Sequence, residues 1–328
     1  MSISTALQRT PIGERLVGIV PDAERFVAET IIEDIESLKR EHNAVVLAHN
    51  YMTADIFHGV ADLRGDSLAL AHMAATTEAD VIVLAGVHFM AETAKILNPD
   101  KTVLIPHPGA GCSLADSITP ADVRALKNRY PGVPVVTYVN TSAGVKAESD
   151  ICCTSGNALR VVESLESPRV IFLPDRYLGA WVASQTTKEI ILWDGSCMVH
   201  ERFTAAELRD YRSEYQGIRV IAHPECPPDV LDEADYVGST AGMIEWVRTE
   251  APTKVVMVTE CSMAANLAVN APNTEFIQPC NLCPYMKMIT LENIRTALQT
   301  MTTEVVVDPD TSRRARQAVD RMLAVPLT

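Results

Sequence analysis

Two hydrophobic patterns alternate along this chain. Short runs such as VIVLAG at 81–86, RVIFLP at 169–174 and KVVMVT at 254–259 are apolar without alternation, so they read as strands covered on both faces. Elsewhere apolar residues recur at three- and four-residue steps, as in PDAERFVAETIIEDIESLKREH at 21–42, and predict helices. Strands alternating with helices imply an α/β architecture with parallel sheets. From Leu291 the pattern reads as a helix (LENIRTALQTM), a strand (TEVVVD) and an amphipathic helix (TSRRARQAVDRMLAV), with Asp308-Pro309-Asp310 as turn and cap.

The strands fall into three matching sets. Each opens with an apolar run and a polar tip: VVLAHNY to Tyr51, PVVTYVN to Asn140 and RVIAHPE to Glu225. His49, Tyr138 and His223 therefore occupy equivalent strand ends. A turn bearing a hydroxyl then leads into a helix: Gly65-Asp66-Ser67, Thr154-Ser155-Gly156 and Gly238-Ser239-Thr240. A second strand, a helix and a third strand (TVLIP, IILWDG, EFIQPC) bring the chain to Cys112, Cys197 and Cys283, which stand 85 and 86 residues apart. Strand tips, hydroxyl turns and cysteines in one register predict three β-α-β-α-β units. The expected division is a helical lead-in at 1–43, units at 44–131, 132–217 and 218–288, and a helix-strand-helix at 289–328 that completes the packing.

At 328 residues the chain exceeds the ~250–300 at which a single core stops growing, in keeping with several units. No apolar stretch approaches the ~18 residues of a membrane span, and MSISTALQRT lacks the apolar centre of a secretion signal. A cytoplasmic protein that does not engage membranes is expected. Eight cysteines in that compartment favour metal or catalytic use over a disulfide framework. The net charge of −14 argues against nucleic acid, which needs a basic stripe. It also means that an anionic substrate must be held by local donors, which helix N-termini supply. Singly, Ser67, Ser155 and Thr240 read as N-caps; together they read as an anion cradle.

Three cysteines around one soft metal site leave a coordination position open, which points to chemistry at the metal. The CNLC pair Cys280 and Cys283 has further readings. Half a zinc site would need a second CxxC or an HxxxH partner, and a redox dithiol would need thioredoxin-type placement. Pro284 favours iron–sulfur ligation by one cysteine of the pair. Cys152, Cys153, Cys226 and Cys261 lack counterparts in the other units and read as small buried residues.

Longer segments extend the picture: HNYM at 49–52, GDS at 65–67, HFMAETAKILNP at 88–99, AGCSLAD at 110–116, YVNTSA at 138–143 and CCTSGNA at 152–158. They continue with PDRYLGAW at 174–181, GSCMVHE at 195–201, HPEC at 223–226, GSTAGMI at 238–244 and CPYMKM at 283–288. In this order they resemble the quinolinate synthase family, iron–sulfur enzymes of NAD biosynthesis. The resemblance implies three similar α/β/α units with short parallel sheets, in a pseudo-threefold triangle around a central cluster. It implies one 4Fe–4S cluster per chain on Cys112, Cys197 and Cys283, with the open iron a Lewis acid. It also implies a transferase that condenses iminoaspartate with dihydroxyacetone phosphate to give quinolinate, phosphate and water. L-Aspartate oxidase makes iminoaspartate, so a transient contact with it is expected.

Roles follow by motif. His49 and Ser67 match positions that hold the dicarboxylate. Tyr138, Asn140 and Ser155, with His223, Glu225 and Thr240, match substrate-binding positions. Tyr51 and Tyr138 resemble the family's active-site tyrosines, Glu225 its general base and His223 a positioning group beside it, while His200 reads as a supporting residue. Cys280 alone remains of the extra cysteines that some members carry in the last motif, so a regulatory dithiol stays open. Two rival readings are a non-catalytic iron–sulfur sensor and another 4Fe–4S hydro-lyase. The first leaves Glu225 and the tyrosines unexplained, and the second would use a close CxxC pair together.

Overall fold

Val and Ile dominate the apolar runs because branched side chains fit a pleated surface buried on both sides. A computed structural model describes residues 12–326; MSISTALQRT, with the start of the expected lead-in, lies outside the described residues. The first sheet joins β1 (Ala44–His49), β2 (Leu63–Gly65), β3 (Val81–Ala85) and β4 (Thr102–Leu104) in the order β2-β1-β3-β4. The second joins β5 (Val135–Tyr138), β6 (Ile151–Cys153), β7 (Arg169–Leu173) and β8 (Glu189–Leu192) as β6-β5-β7-β8. The third joins β9 (Arg219–Ala222), β10 (Tyr236–Val237), β11 (Lys254–Val258) and β12 (Glu275–Ile277) as β10-β9-β11-β12. All pairings within these sheets are parallel. The protein is thus three similar α/β/α units.

Each unit has one strand and one helix more than the β-α-β-α-β expectation. A short helix (Ala54–Gly59, Ala143–Glu148, Pro228–Asp232) and then β2, β6 or β10 intervene between strand tip and hydroxyl turn. These strands have two or three residues, too few to show a period in the sequence. Their register positions the site. His49 pairs with Gly65, Tyr138 with Cys153 and Ala222 with Val237, so each strand tip lies beside its hydroxyl turn.

Helices tie the units together. Thr119, Thr204 and Thr290 each follow a unit's cysteine by seven residues and close a capping box at the helices Pro120–Arg129, Ala205–Glu214 and Leu291–Thr300. Val123 of the first helix packs with Val135 and Ile171 of the second sheet, and Leu208 of the next with Val220 and Val256 of the third. The helix Leu291–Thr300 returns to β3 and to the lead-in helix Asp22–Glu41, which closes the ring. The expected strand TEVVVD forms only one antiparallel bridge, Leu104 to Glu304. Val305 is buried there while Val306 stands exposed, so little of the apolar run has a surface to cover. The last helix, Pro309–Ala324, forms as expected, capped by Asp308, and packs on β6.

Candidate active site

The three cysteines sit in one local structure built three times. After the third crossover, His88 N donates to Ala110 O at 2.7 Å and Arg176 N to Gly195 O at 2.8 Å, while Glu260 bridges to Asn281. Each contact pins the chain two residues before a cysteine. Each cysteine carbonyl then accepts the N–H four residues on, from Asp116, Glu201 and Lys287. Each sulfur meanwhile receives the backbone N–H groups two and three residues on: Leu114 and Ala115, Val199 and His200, Tyr285 and Met286. Such paired N–H donors suit a thiolate bound to metal.

Burial works against the bare thiolates. It pushes Cys112 up to about 12, Cys197 well above the ordinary thiol range, and Cys283 upward; the N–H donors only partly offset it. Charge on Cys283 opposes ionisation of Cys112, and charge on Cys112 opposes that of Cys197, so the three lie close together. A cationic iron centre is what three such thiols need to ionise. The residues fit the cofactor. Cys152, Cys153, Cys226 and Cys261 are buried and Cys280 is exposed, and none of them lines the cavity where the three converge.

That cavity also receives every other residue singled out from the sequence. His49, Ser67 and Tyr51 come from the first unit, Tyr138, Asn140 and Ser155 from the second, and His223, Glu225 and Thr240 from the third. The helix caps are Asp66 and Ser239, whose side chains accept from Ala69 N and Gly242 N, while Asn157 holds the N-cap position after Ser155. Ser67 and Thr240 are the first helical residues, so the plain N-cap reading of these hydroxyls does not hold. Asn140 Oδ1 is buried without a partner, an acceptor left for a ligand.

The two strand-tip histidines are set alike. His49 Nδ1 accepts from Tyr51 N at 3.2 Å, and His223 Nδ1 from Glu225 N at 3.4 Å. A neutral ring that accepts at Nδ1 carries its proton on Nε2. Burial lowers both, to about 4 for His49 and about 3 for His223, so both are neutral at pH 7. His223 Nε2 lies 3.1 Å from Ser155 Oγ.

Glu225 is the hub. Tyr138 donates to its Oε1 at 2.6 Å, and His200 Nδ1 lies 2.8 Å from its Oε2 in a close, bent contact. Burial pushes this carboxyl up, but the imidazoles and the hydrogen bonds from His200 and Tyr138 outweigh it and hold the group below the usual range. Since His223 is uncharged at neutral pH, His200 and Tyr138 keep Glu225 ionised there. Cys197 Sγ lies within 4.8 Å of both the His200 ring nitrogen and the Glu225 carboxylate. Acid–base and sulfur chemistry share one space.

Three residues were missed from the sequence. Thr259 accepts or donates to Tyr51 Oη at 2.6 Å and to His200 Nε2 at 3.0 Å. Glu260, fully buried, accepts from Lys287 Nζ at 3.0 Å and Cys283 N at 3.4 Å, and Lys287 also donates to Tyr51 O. Thr259 and Glu260 end an apolar run, as Pro174 and Asp175 do, and that shared position was the available signal.

Fold and site define a class: a three-unit α/β protein whose central cavity joins three equivalent thiols to carboxylate, imidazole and phenol groups. The family described as quinolinate synthetase A protein matches residues 33–324. The chain is 62% identical over 312 residues to quinolinate synthase 1 of Mesorhizobium japonicum, covering 95% of this chain and 96% of that one. It is 60% identical over 324 residues to quinolinate synthase of Agrobacterium fabrum (99% and 94%), and 60% over 304 residues to that of Xylella fastidiosa (93% and 90%). The chain belongs to the quinolinate synthetase A family.

Proposed function

We propose that this chain condenses iminoaspartate with dihydroxyacetone phosphate to give quinolinate, phosphate and water, using a 4Fe–4S cluster on Cys112, Cys197 and Cys283. Quinolinate synthase function and an iron–sulfur cofactor follow from family membership, and the sensor and hydro-lyase readings find no support. The observation that carries the reading is the cavity in which three equivalent cysteines meet the three strand tips. Residues 44–131, 132–217 and 218–288 each lend it one cysteine.

When bound, the cluster supplies a Lewis-acidic position, since three cysteines leave one iron open. The chain's own groups bind and move protons. His49, through Nε2–H, and Ser67 hold a carboxylate at the N-terminus of the helix Ser67–Thr76, where free N–H groups and the dipole favour an anion. Thr240 does the same at the helix Thr240–Glu250, braced by Asn50 Nδ2 at 2.8 Å. Asn140 and Ser155 complete the cradle, and His223 positions substrate. Glu225 takes a proton from carbon, and Tyr138 donates to the carboxylate that forms the base. An entering dianion adds like charge beside Glu225 and raises its basicity. Tyr51 stands ready to protonate a departing oxygen.

No helix among the described residues is long and apolar enough to cross a membrane, which is in keeping with a cytoplasmic enzyme. Transient contact with L-aspartate oxidase would shorten the path of iminoaspartate, which water hydrolyses. The test is quinolinate formation by protein purified without oxygen, with Glu225→Gln as control. Failure of the wild type, with its cluster intact, to form quinolinate would contradict the proposal.

A further inference from the structure

Tyr51 belongs to the first unit, yet side chains of the third unit hold the loop that carries it. Three successive carbonyls of that loop accept from them: Asn50 O from Asn266 Nδ2 at 3.1 Å, Tyr51 O from Lys287 Nζ at 2.9 Å and Met52 O from Asn266 Nδ2 at 2.8 Å. The loop is too deep for water to take this part, with Asn50 3% exposed and Met52 0%. Asn266 lies on the helix Ser262–Ala268, is itself 4% exposed, and stands outside the cavity lining. Packing alone would favour leucine there. Asparagine is the poorer helix former, and Asn266 Oδ1 is buried without a partner. What leucine lacks is an NH₂ group with two hydrogens, one for the carbonyl of each residue flanking Tyr51.

We propose that Asn266 is a positioning residue that fixes the peptide frame of Tyr51, so that the phenol meets the departing oxygen of the substrate. The proposal rests on Tyr51 being the group that protonates that oxygen. The Tyr51 N–H donates to His49 Nδ1 at 3.2 Å and its hydroxyl lies 2.6 Å from Thr259 Oγ1. Both contacts act on the residue itself, whereas Asn266 sets the backbone from which the side chain leaves. A reacting group displaced by about 1 Å can cost on the order of 10²-fold in rate even when the change lies away from the chemistry. The same clasp reaches the anion cradle. Asn50 Nδ2 donates to Thr240 Oγ1 at 2.8 Å, and a hydroxyl oxygen so engaged turns its own hydrogen toward another acceptor. Asn266 therefore governs turnover through Tyr51 and, more weakly, affinity through Asn50 and Thr240.

The test is a double-mutant cycle of Asn266→Leu with Tyr51→Phe, on cluster-loaded enzymes. In Asn266→Leu, kcat should fall about 10–100-fold and quinolinate should bind about threefold more weakly, with iron content unchanged. Tyr51→Phe should lower kcat by about 10²–10⁴-fold, the loss of a general acid. In the double variant kcat should lie within about threefold of Tyr51→Phe, because a displaced phenol no longer matters once it is gone, while the threefold loss of affinity persists. A merely structural role would not separate the two readouts in this way. Wild-type kcat in Asn266→Leu, or kcat losses that multiply in the double variant, would overturn the proposal while an impaired Tyr51→Phe left the acid assignment standing. Near wild-type turnover in Tyr51→Phe would overturn the acid assignment, and the positioning role with it. If Asn266→Leu does not fold, Asn266→Ser, which offers one hydrogen in place of two, takes its place in the same cycle. Loss of the cluster in both would also overturn the proposal, because Asn266 would then hold the fold and not the phenol.

Discussion

Glu225 concentrates the chemistry because it is fully enclosed yet satisfied by a phenol and an imidazole. Replacing it by Gln preserves the shape and removes the proposed base, so turnover should fall about 10²–10⁴-fold, with cluster and substrate binding retained. Steady-state assay together with iron analysis checks both halves. Its neighbours Tyr138 and His223 were legible in YVN and HPEC, since strand tips in register pointed to them. The link through Thr259 was not legible, because a threonine at the end of KVVMVT looks like one more strand residue until the fold brings Tyr51 to it. A second prediction concerns the buried histidines. His49 and His58 are lowered from 6.5 to about 4 and His223 to about 3, each chiefly by burial. The unfolded chain therefore binds protons from about pH 6.5 downward while the folded one does not until about 4. Their contribution to stability is complete above pH 6.5 and is lost as pH falls toward 3–4. The urea midpoint should drop between pH 7 and pH 5, and His58→Gln, away from the cavity, should reduce the drop. A pH-independent midpoint would contradict these burials.

At the scale of elements, the caps and the proposed ligand donors are separate residues. Ser67 begins its helix without capping it, since Asp66 accepts from Ala69 N at 2.9 Å. Ser67→Ala should weaken substrate binding by about 1.5–3 kcal/mol, the loss of a charge-assisted hydrogen bond, and leave Tm unchanged. Thr290→Ala removes a capping box remote from the cavity, so it should cost about 0.5–2 kcal/mol of stability without changing affinity. Calorimetry and thermal melts distinguish the two; a lower Tm with normal affinity in Ser67→Ala would restore the cap reading. The long apolar strands, the strand tips and the outer helices were readable from period and spacing. The strands β2, β6 and β10 were not, because two or three residues carry no period. TEVVVD misled in the opposite way. Its consecutive valines meet only the edge of β4, and a single bridge results.

For the whole molecule, three-unit symmetry does what no single unit can. Each unit offers one half-buried thiol with two N–H donors, and the proposed metal site needs all three. The −14 charge is offset locally by the N-termini of the helices Ser67–Thr76 and Thr240–Glu250. An iron without a protein ligand is open to oxidants, so activity should decay in air and return on anaerobic reconstitution with iron and sulfide. The most direct measurement is iron and labile sulfide per chain in protein purified without oxygen, for wild type and five alanine variants. Wild type, Cys152→Ala and Cys226→Ala should each hold about four irons per chain, the count for one 4Fe–4S cluster. Cys112→Ala, Cys197→Ala and Cys283→Ala should each lose the cluster. A full complement of iron and sulfide in Cys283→Ala would contradict the threefold site and move the third ligand to Cys280.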